Sequence, residues 1–166
     1  MRGRTDRWKS TGDPLEDSSI DLVWLSTVVH HLTGLDQCVN ELARVTKADA
    51  PVLIRDLFSD RGSPKGVMTI PGWRRAVSAF PSSEAIEKAM LRGGFKLVDC
   101  LEVEERNPVT VGEAAERIRR LRHADSILIQ ISDDEINEGL DALDQRDPDE
   151  QLAPSMLALL AFSKGR

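Results

Sequence analysis

The chain has 166 residues, 40% of them hydrophobic and 30% charged, which is typical of one soluble globular domain and excludes a fibrous or disordered chain. Its net charge of −6 argues against a nucleic-acid-binding surface, which needs a basic face, and no apolar run approaches the ~20 residues that span a bilayer. Two isolated thiols, Cys38 and Cys100, lack CxxC spacing and favour a reducing, cytoplasmic compartment.

The first well-marked element is a strand over residues 21–25, where an apolar run lies between turn residues and Ser26. Such a run is typical of a buried strand in a parallel sheet. Ser26 and the following His30 and His31 are therefore expected at or just past its carboxyl end, where open α/β sheets bind ligands. An amphipathic helix is predicted from about residue 35.

A second buried strand is predicted over residues 52–54, with Arg55 and Asp56 at its carboxyl end. The succession of strand, helix and strand predicts a right-handed βαβ crossover. Residues 59–82 are rich in glycine and proline, with Trp73 embedded among them. This composition is typical of a lid or a pocket wall.

The second half of the chain predicts a further helix and two strands. Ser83 is a candidate N-cap for the helix, and Gly93-Gly94 ends it. Residues 95–104 partly alternate apolar and polar side chains, as a half-buried edge strand does. Residues 156–162 are almost entirely apolar and predict a last buried strand, with a helix as the alternative.

Between those two strands lies a segment of residues 105–155, which is longer than a hairpin connection. Capping boxes at Thr110–Glu113 and Ser132–Glu135 predict two helices within it. Gly139 falls inside the second helix, where glycine is about 1 kcal/mol less favourable than alanine.

Four motifs in a fixed order point to a family. They are Gly-Asp-Pro-Leu-Glu-Asp-Ser-Ser-Ile-Asp-Leu-Val at residues 12–23, Val-His-His-Leu at 29–32, Glu-Leu-Ala-Arg-Val at 41–45 and Leu-Arg-Gly-Gly-Phe at 91–95. In this order and spacing they resemble the class I S-adenosylmethionine (SAM) dependent methyltransferases that act on small molecules.

The resemblance implies an α/β sheet of strand order 3-2-1-4-5-7-6. This chain would supply strand 4 at residues 21–25, strand 5 at 52–54, strand 6 at 95–103 and strand 7 at 156–162, with a remnant of strand 3 at 8–11. No segment matches strands 1 and 2 or their glycine-rich turn, and the eleven glycines include no GxG pair. We expect an N-terminally truncated, partial Rossmann-like sheet of order 4-5-7-6, in a single domain of residues 1–166 with a helical insert at 105–155.

The same resemblance assigns half of a SAM site. The cofactor-contacting residues that it implies are Asp13, Pro14, Leu15, Leu25 and Ser26. Asp13 would accept a hydrogen bond from the adenine amine; the alternative is an acidic turn residue that caps local backbone amides.

The resemblance also implies residues for the methyl acceptor. His31 would border the methyl-transfer pocket as the catalytic residue; the alternative has His30 exposed and His31 hydrogen-bonded in a helix cap. Arg55, Asp56 and Trp73 would contact the acceptor, against an ion pair within the chain for the first two and core packing for Trp73.

Two classes of function therefore remain open. The first is methyl transfer from SAM to a small-molecule acceptor, incomplete in this chain, so that SAM binds weakly or not at all. The second is a non-catalytic module that forms a homodimer or binds a partner chain through the strand at residues 21–25, which the missing strand 1 leaves as an apolar edge. A metal hydrolase built on His30, His31 and Asp36 has little support because no third histidine stands at ligand spacing, and we expect no metal.

Overall fold

The computed structural model describes residues 15–105 and 110–165, in which four strands form one sheet. The strands are β1 (Val23–Ser26), β2 (Pro51–Asp56), β3 (Phe95–Glu104) and β4 (Met156–Lys164). Their order is β1-β2-β4-β3; β1 and β2 are parallel, and β4 is antiparallel to both of its neighbours. The predicted order 4-5-7-6 is confirmed, while the predicted strand at residues 8–11 lies outside the described residues.

Five helices flank this sheet in the described ranges. They are α1 (Leu35–Val45), α2 (Trp73–Ser78), α3 (Ser83–Arg92), α4 (Val111–Leu121) and α5 (Asp133–Asp144). The last two lie between β3 and β4 in the chain, and each begins with the predicted capping box. None of the helices in the described part of the chain is both long and apolar enough to cross a membrane.

The predicted cap of α3 is wrong by one residue. Ser82, in extended conformation, is the N-cap, and its hydroxyl accepts a hydrogen bond from the Ala85 amide. Ser83 is the first helical residue, and both its amide and its hydroxyl donate to the Asp60 carboxylate. The acidic side chain that holds Ser83 comes from 23 residues upstream, so the local sequence does not reveal it.

Two apolar clusters stabilise the fold. One joins the sheet to α1 and α3 through buried side chains that include Ile54, Phe95 and Phe162. The other joins α4 and α5 to the region after β2, and Leu157 of β4 belongs to it. Adjacent strand residues point to opposite faces, so Leu157 and Ala158 of one strand reach different clusters.

The start of α5 supplies a prediction about pH. Glu135 accepts two hydrogen bonds from the Arg75 guanidinium, at 2.9 and 3.1 Å, and it also closes the capping box with Ser132. These bonds, that from Arg75 foremost, lower the pKa of the Glu135 carboxyl from its ordinary value of 4.5 to about 2. Its contribution to stability is therefore complete above pH 4.5 and is lost as the pH falls through about 2.

We expect Glu135→Gln to be less stable than the wild type near neutral pH, with a difference that shrinks once the pH falls below 4.5. Urea unfolding at a series of pH values measures it. Glu116→Gln is the control, because Glu116 is exposed on α4 and forms no ion pair with any residue that the structure describes. A difference for Glu135→Gln that stays constant down to about pH 2 would contradict the assignment.

Candidate functional site

A cavity of about 380 Å³ lies at the sheet edge where β1 and β2 end. Thr27 and His30 line it after β1, and Asp56 and Leu57 line it at the end of β2. The opposite wall comes from α4 and the loop that follows it, including Ser126. The volume lies within the range of ligand pockets, and the position is where open α/β sheets bind ligands.

Asp56 is the most enclosed charged residue of this cavity, with 0% of its surface exposed. Its carboxylate accepts hydrogen bonds from the amides of Val29 and Leu57, each at 2.9 Å. Its Oδ1 also lies 2.7 Å from Nδ1 of His30. A buried carboxylate is tolerable only when its oxygens are satisfied in this way.

His30 connects this carboxylate to the far wall of the cavity. A carboxylate can only accept hydrogen bonds, so Nδ1 carries a proton. Nε2 lies 3.1 Å from the hydroxyl oxygen of Ser126, which donates to it when the ring is neutral. The ring also stacks on Phe80 with centroids 4.6 Å apart. The position of the His30 ring is thus fixed on three sides, by Asp56, Ser126 and Phe80.

The exposure of the two adjacent histidines is the reverse of what one interpretation of the sequence predicted. The side chain of His30 is only 7% exposed, whereas His31 is exposed. The alternative with His30 exposed and His31 held in a cap is therefore wrong, because the short 3-10 turn Val29–His31 places His30 against Asp56. His31 lines the same cavity, with its ring 4.1 Å from that of His30, and its catalytic role stays a prediction.

The other predicted acceptor residues point to different parts of the structure. Arg55 pairs in register with Ser26, and its guanidinium donates to the Ser26 hydroxyl at 3.2 Å. Asp56 is the next residue of the same strand and points to the opposite face, toward His30. Trp73 is half-buried on α2, against the cluster of α4 and α5, with the Arg74 guanidinium 4.7 Å above its ring. Trp73 is not among the residues that line the cavity.

Comparison with known proteins finds one matching family model. Residues 9–54 match the family model of a methyltransferase domain. This match confirms the resemblance to the class I SAM-dependent methyltransferases. A search of curated proteins finds no match to the sequence.

Solved structures agree with the fold. The chain is similar to the [4+2]-cyclase SpnF, with a TM-score of 0.55 and 17% identity over 92% of this chain and 53% of the other. It is also similar to a candidate methyltransferase of Bacillus halodurans, with a TM-score of 0.54 and 13% identity over 92% of this chain and 68% of the other. A candidate sarcosine dimethylglycine methyltransferase of Galdieria sulphuraria has a TM-score of 0.51 and 15% identity, over 93% of this chain and 56% of the other.

These likenesses concern the methyltransferase fold and not its activity. Their identities, from 13% to 17%, show a shared architecture alone. The chain spans about half the length of the cyclase and of the Galdieria protein. One of these proteins is a [4+2]-cyclase, so a shared architecture does not determine the reaction, which depends on the residues of the site.

The methyltransferase resemblance assigned five residues to SAM, and the structure describes three of them. Asp13 and Pro14 lie outside the described residues. Leu15 is 41% exposed, and its carbonyl accepts a hydrogen bond from Arg44 at the end of α1. Leu25 and Ser26, both half-buried, end β1, and neither is among the residues that line the cavity. Their contact with SAM stays a prediction.

The residue after Ser26 adds a local signal. Thr27 has a positive φ of 50°, which a β-branched residue adopts only rarely. Its amide donates to the carbonyl of Arg55 at 2.8 Å, and it lines the cavity. The turn after β1 is therefore held in a strained conformation at the wall of the pocket, as is common at ligand sites.

Metal ligation has no support in the part of the chain that the structure describes. No group of three or more His, Cys, Asp or Glu side chains there could hold a metal ion. Asp36, the third ligand of the metal hypothesis, pairs instead with Arg92 of α3 at 2.6 Å.

Proposed function

We propose that this chain carries the acceptor side of a SAM-dependent methyltransferase for small molecules. One observation supports the proposal above the others. A buried His30–Asp56 pair, with a short hydrogen bond of 2.7 Å, faces a cavity of about 380 Å³ at the edge where β1 and β2 end. The match of residues 9–54 to a methyltransferase domain gives that pocket its chemical context.

When bound, SAM supplies a methyl group activated by its sulfonium, and the transfer is a displacement that depends on alignment and exclusion of water. Leu25 and Ser26 would hold it at the end of β1, and Asp13, Pro14 and Leu15 would hold its adenine. This is half of the holding surface that the family resemblance implies. We therefore expect weak binding of SAM to this chain.

The residues of the cavity would act on the acceptor. His30 Nε2 is the basic nitrogen, and an acceptor hydroxyl that replaces the Ser126 hydroxyl there would transfer its proton to the ring. Asp56 would keep the ring in the reactive tautomer and stabilise the imidazolium that forms. Arg55 and Trp73 stay proposed acceptor contacts, and His31, whose ring neighbours that of His30, stays a second candidate base.

Methyl transfer is tested with SAM labelled in its methyl group and a panel of small hydroxyl compounds. SAM is supplied at millimolar concentration because weak binding is expected. We expect His30→Gln to lower transfer by about 100-fold or more. His123→Gln, at an exposed histidine in the turn after α4, is the control. Equal transfer by both variants would contradict a base at His30, and no transfer by the wild type would contradict the proposal itself.

A second candidate function is the non-catalytic binding module, and the surface of β1 favours it. Within the described sheet, β1 pairs only with β2. Leu22 and Trp24 on this edge are 53% and 50% exposed. An exposed apolar edge strand is a template for pairing with another chain. A second copy of this chain is the simplest partner.

This candidate predicts a dimer in light scattering that Trp24→Lys converts to a monomer, because a charge on an edge strand opposes pairing. Ile129→Lys is the matched control, since Ile129 is 56% exposed and belongs to the segment after α4, which is not part of the sheet. A monomeric wild type at all concentrations would contradict it.

A further inference from the structure

Ser126, His30 and Asp56 form one continuous chain of hydrogen bonds along the cavity wall. The Ser126 hydroxyl lies 3.1 Å from Nε2 of His30, and Nδ1 lies 2.7 Å from Asp56. Both distances are within the range for a nucleophile, its base and the group that orients the base. Such a constellation is recognised by geometry and roles, whatever the order of its residues in the chain. The proposed methyl transfer gives the Ser126 hydroxyl no chemical role.

We propose that Ser126 is the nucleophile of an acyl-transfer site that hydrolyses esters of small carboxylic acids. Ser126 Oγ forms a bond to the acyl carbon while its proton passes to Nε2 of His30. The bond from the acyl carbon to the alcohol oxygen then breaks, and the proton moves to the departing alcohol. Water attacks the acyl-serine by the same route, which releases the acid and restores the hydroxyl. Water is the only co-reactant.

The loop that carries Ser126 is fixed in place by its neighbours. The Asp125 carboxylate accepts hydrogen bonds from the amides of Ile127 and Leu128, at 2.8 and 3.2 Å. The Gln130 side chain donates to the Ser126 carbonyl at 2.7 Å. The hydroxyl is therefore presented to His30 by an ordered backbone, as a nucleophile requires.

One part of the cavity wall suits an apolar acyl group. Leu57, Phe80 and Ile118 form this part, and all three are buried; the rest of the lining includes charged side chains such as Arg117. The three buried side chains would receive the acyl chain, and burial of each methylene would contribute about 0.8 kcal/mol to its binding. A short aliphatic acyl group fits a volume of about 380 Å³.

Stabilisation of the oxyanion rests on one donor. The backbone amide of Ser126 makes no hydrogen bond to any residue that the structure describes, and we assign this amide as the donor to the developing oxyanion. Hydrolases of this type have two such donors, and loss of one lowers turnover by about 10²–10³-fold. We therefore expect slow turnover, and esters as the substrates because an alcohol leaves more readily than an amine.

The test uses p-nitrophenyl butyrate and a fluorophosphonate probe, without SAM, so that its outcome is independent of methyl transfer. We expect release of p-nitrophenol and one covalent adduct that peptide mass spectrometry locates on Ser126. Ser126→Ala should lose the adduct and lower the rate by about 100-fold or more. Ser78→Ala, at an exposed serine of α2, is the matched control and should behave as the wild type.

Two further measurements make the result decisive. Thermal unfolding of Ser126→Ala should match that of the wild type within a few degrees, and Ser126→Cys should restore acylation because a thiol is also a nucleophile. Hydrolysis by Ser126→Ala at the wild-type rate, an adduct on another residue, or a wild type that reacts with neither probe would overturn the proposal.

Discussion

Replacing Asp56 by alanine is expected to destabilise the fold by about 3 kcal/mol or more. The carboxylate accepts hydrogen bonds from the Val29 amide, the Leu57 amide and the His30 ring. Removal of the only acceptor of several buried donors costs about 1–3 kcal/mol for each donor left unsatisfied. For the three donors together we expect the lower end of this range, because the adjoining cavity admits water to part of the site.

Urea unfolding measures this effect, and two further variants serve for comparison. Asp56→Asn keeps one acceptor oxygen and should cost less than Asp56→Ala. Asp99→Ala is the matched control, because Asp99 also accepts a hydrogen bond from the next amide, at 2.8 Å, but lies exposed on β3. Asp99→Ala should change the free energy of unfolding by about 0.5 kcal/mol or less. If Asp56→Ala cost no more than Asp99→Ala, the carboxylate would not hold the turn after β1.

The same residue therefore connects the fold to the chemistry of the cavity. Through the Val29 amide, Asp56 fixes the turn that leaves β1, and through Nδ1 it fixes the tautomer of His30. Any variant of Asp56 alters both, so loss of activity in such a variant would not by itself assign a catalytic role. Ser126→Ala and His30→Gln, each compared with an exposed control of the same residue type, separate the two effects.

The sheet could be predicted from the sequence because its signals are local. Three apolar runs and one partly alternating run mark the strands, and the capping boxes of α4 and α5 each lie within four residues. The order of the strands came from the methyltransferase resemblance, which the topology confirms. Helix α2 was missed because its six residues lie in a segment rich in glycine and proline, where periodicity has too little length to be seen.

The site could be predicted only in part. Asp56 ends one strand and His30 follows the neighbouring parallel strand, so the sequence placed both at the carboxyl ends of strands without pairing them. The choice between His30 and His31 depends on the rotation of a three-residue turn, which no pattern in the sequence specifies. Ser126 lies 96 residues from His30 in the chain. Its contact is a product of tertiary packing, so no spacing in the sequence predicts it.

Gly139 shows how packing can reverse a local rule, and Gly139→Ala is the second substitution with a large expected effect. Helix propensity alone favours alanine here by about 1 kcal/mol. In the structure α5 packs against residues 69–70 so closely that a β-carbon on Gly139 would lie 2.8 Å from Cα of Ile70 and 3.2 Å from the carbonyl oxygen of Thr69. Ile70 is completely buried, and a backbone atom cannot yield as a flexible side chain would.

We expect Gly139→Ala to destabilise the protein by about 1–3 kcal/mol, the usual cost of overpacking a core, despite its gain in helix propensity. Urea or thermal unfolding measures the change. Gly66→Ala is the control, because a β-carbon there meets no atom within 4 Å, and it should be nearly neutral. If Gly139→Ala were stabilising, α5 would have room to move away from Ile70. Because α4 and α5 share one apolar cluster, α4 and the cavity wall that it forms would then be able to shift with α5. Such a shift would disturb the contact between Ser126 and His30.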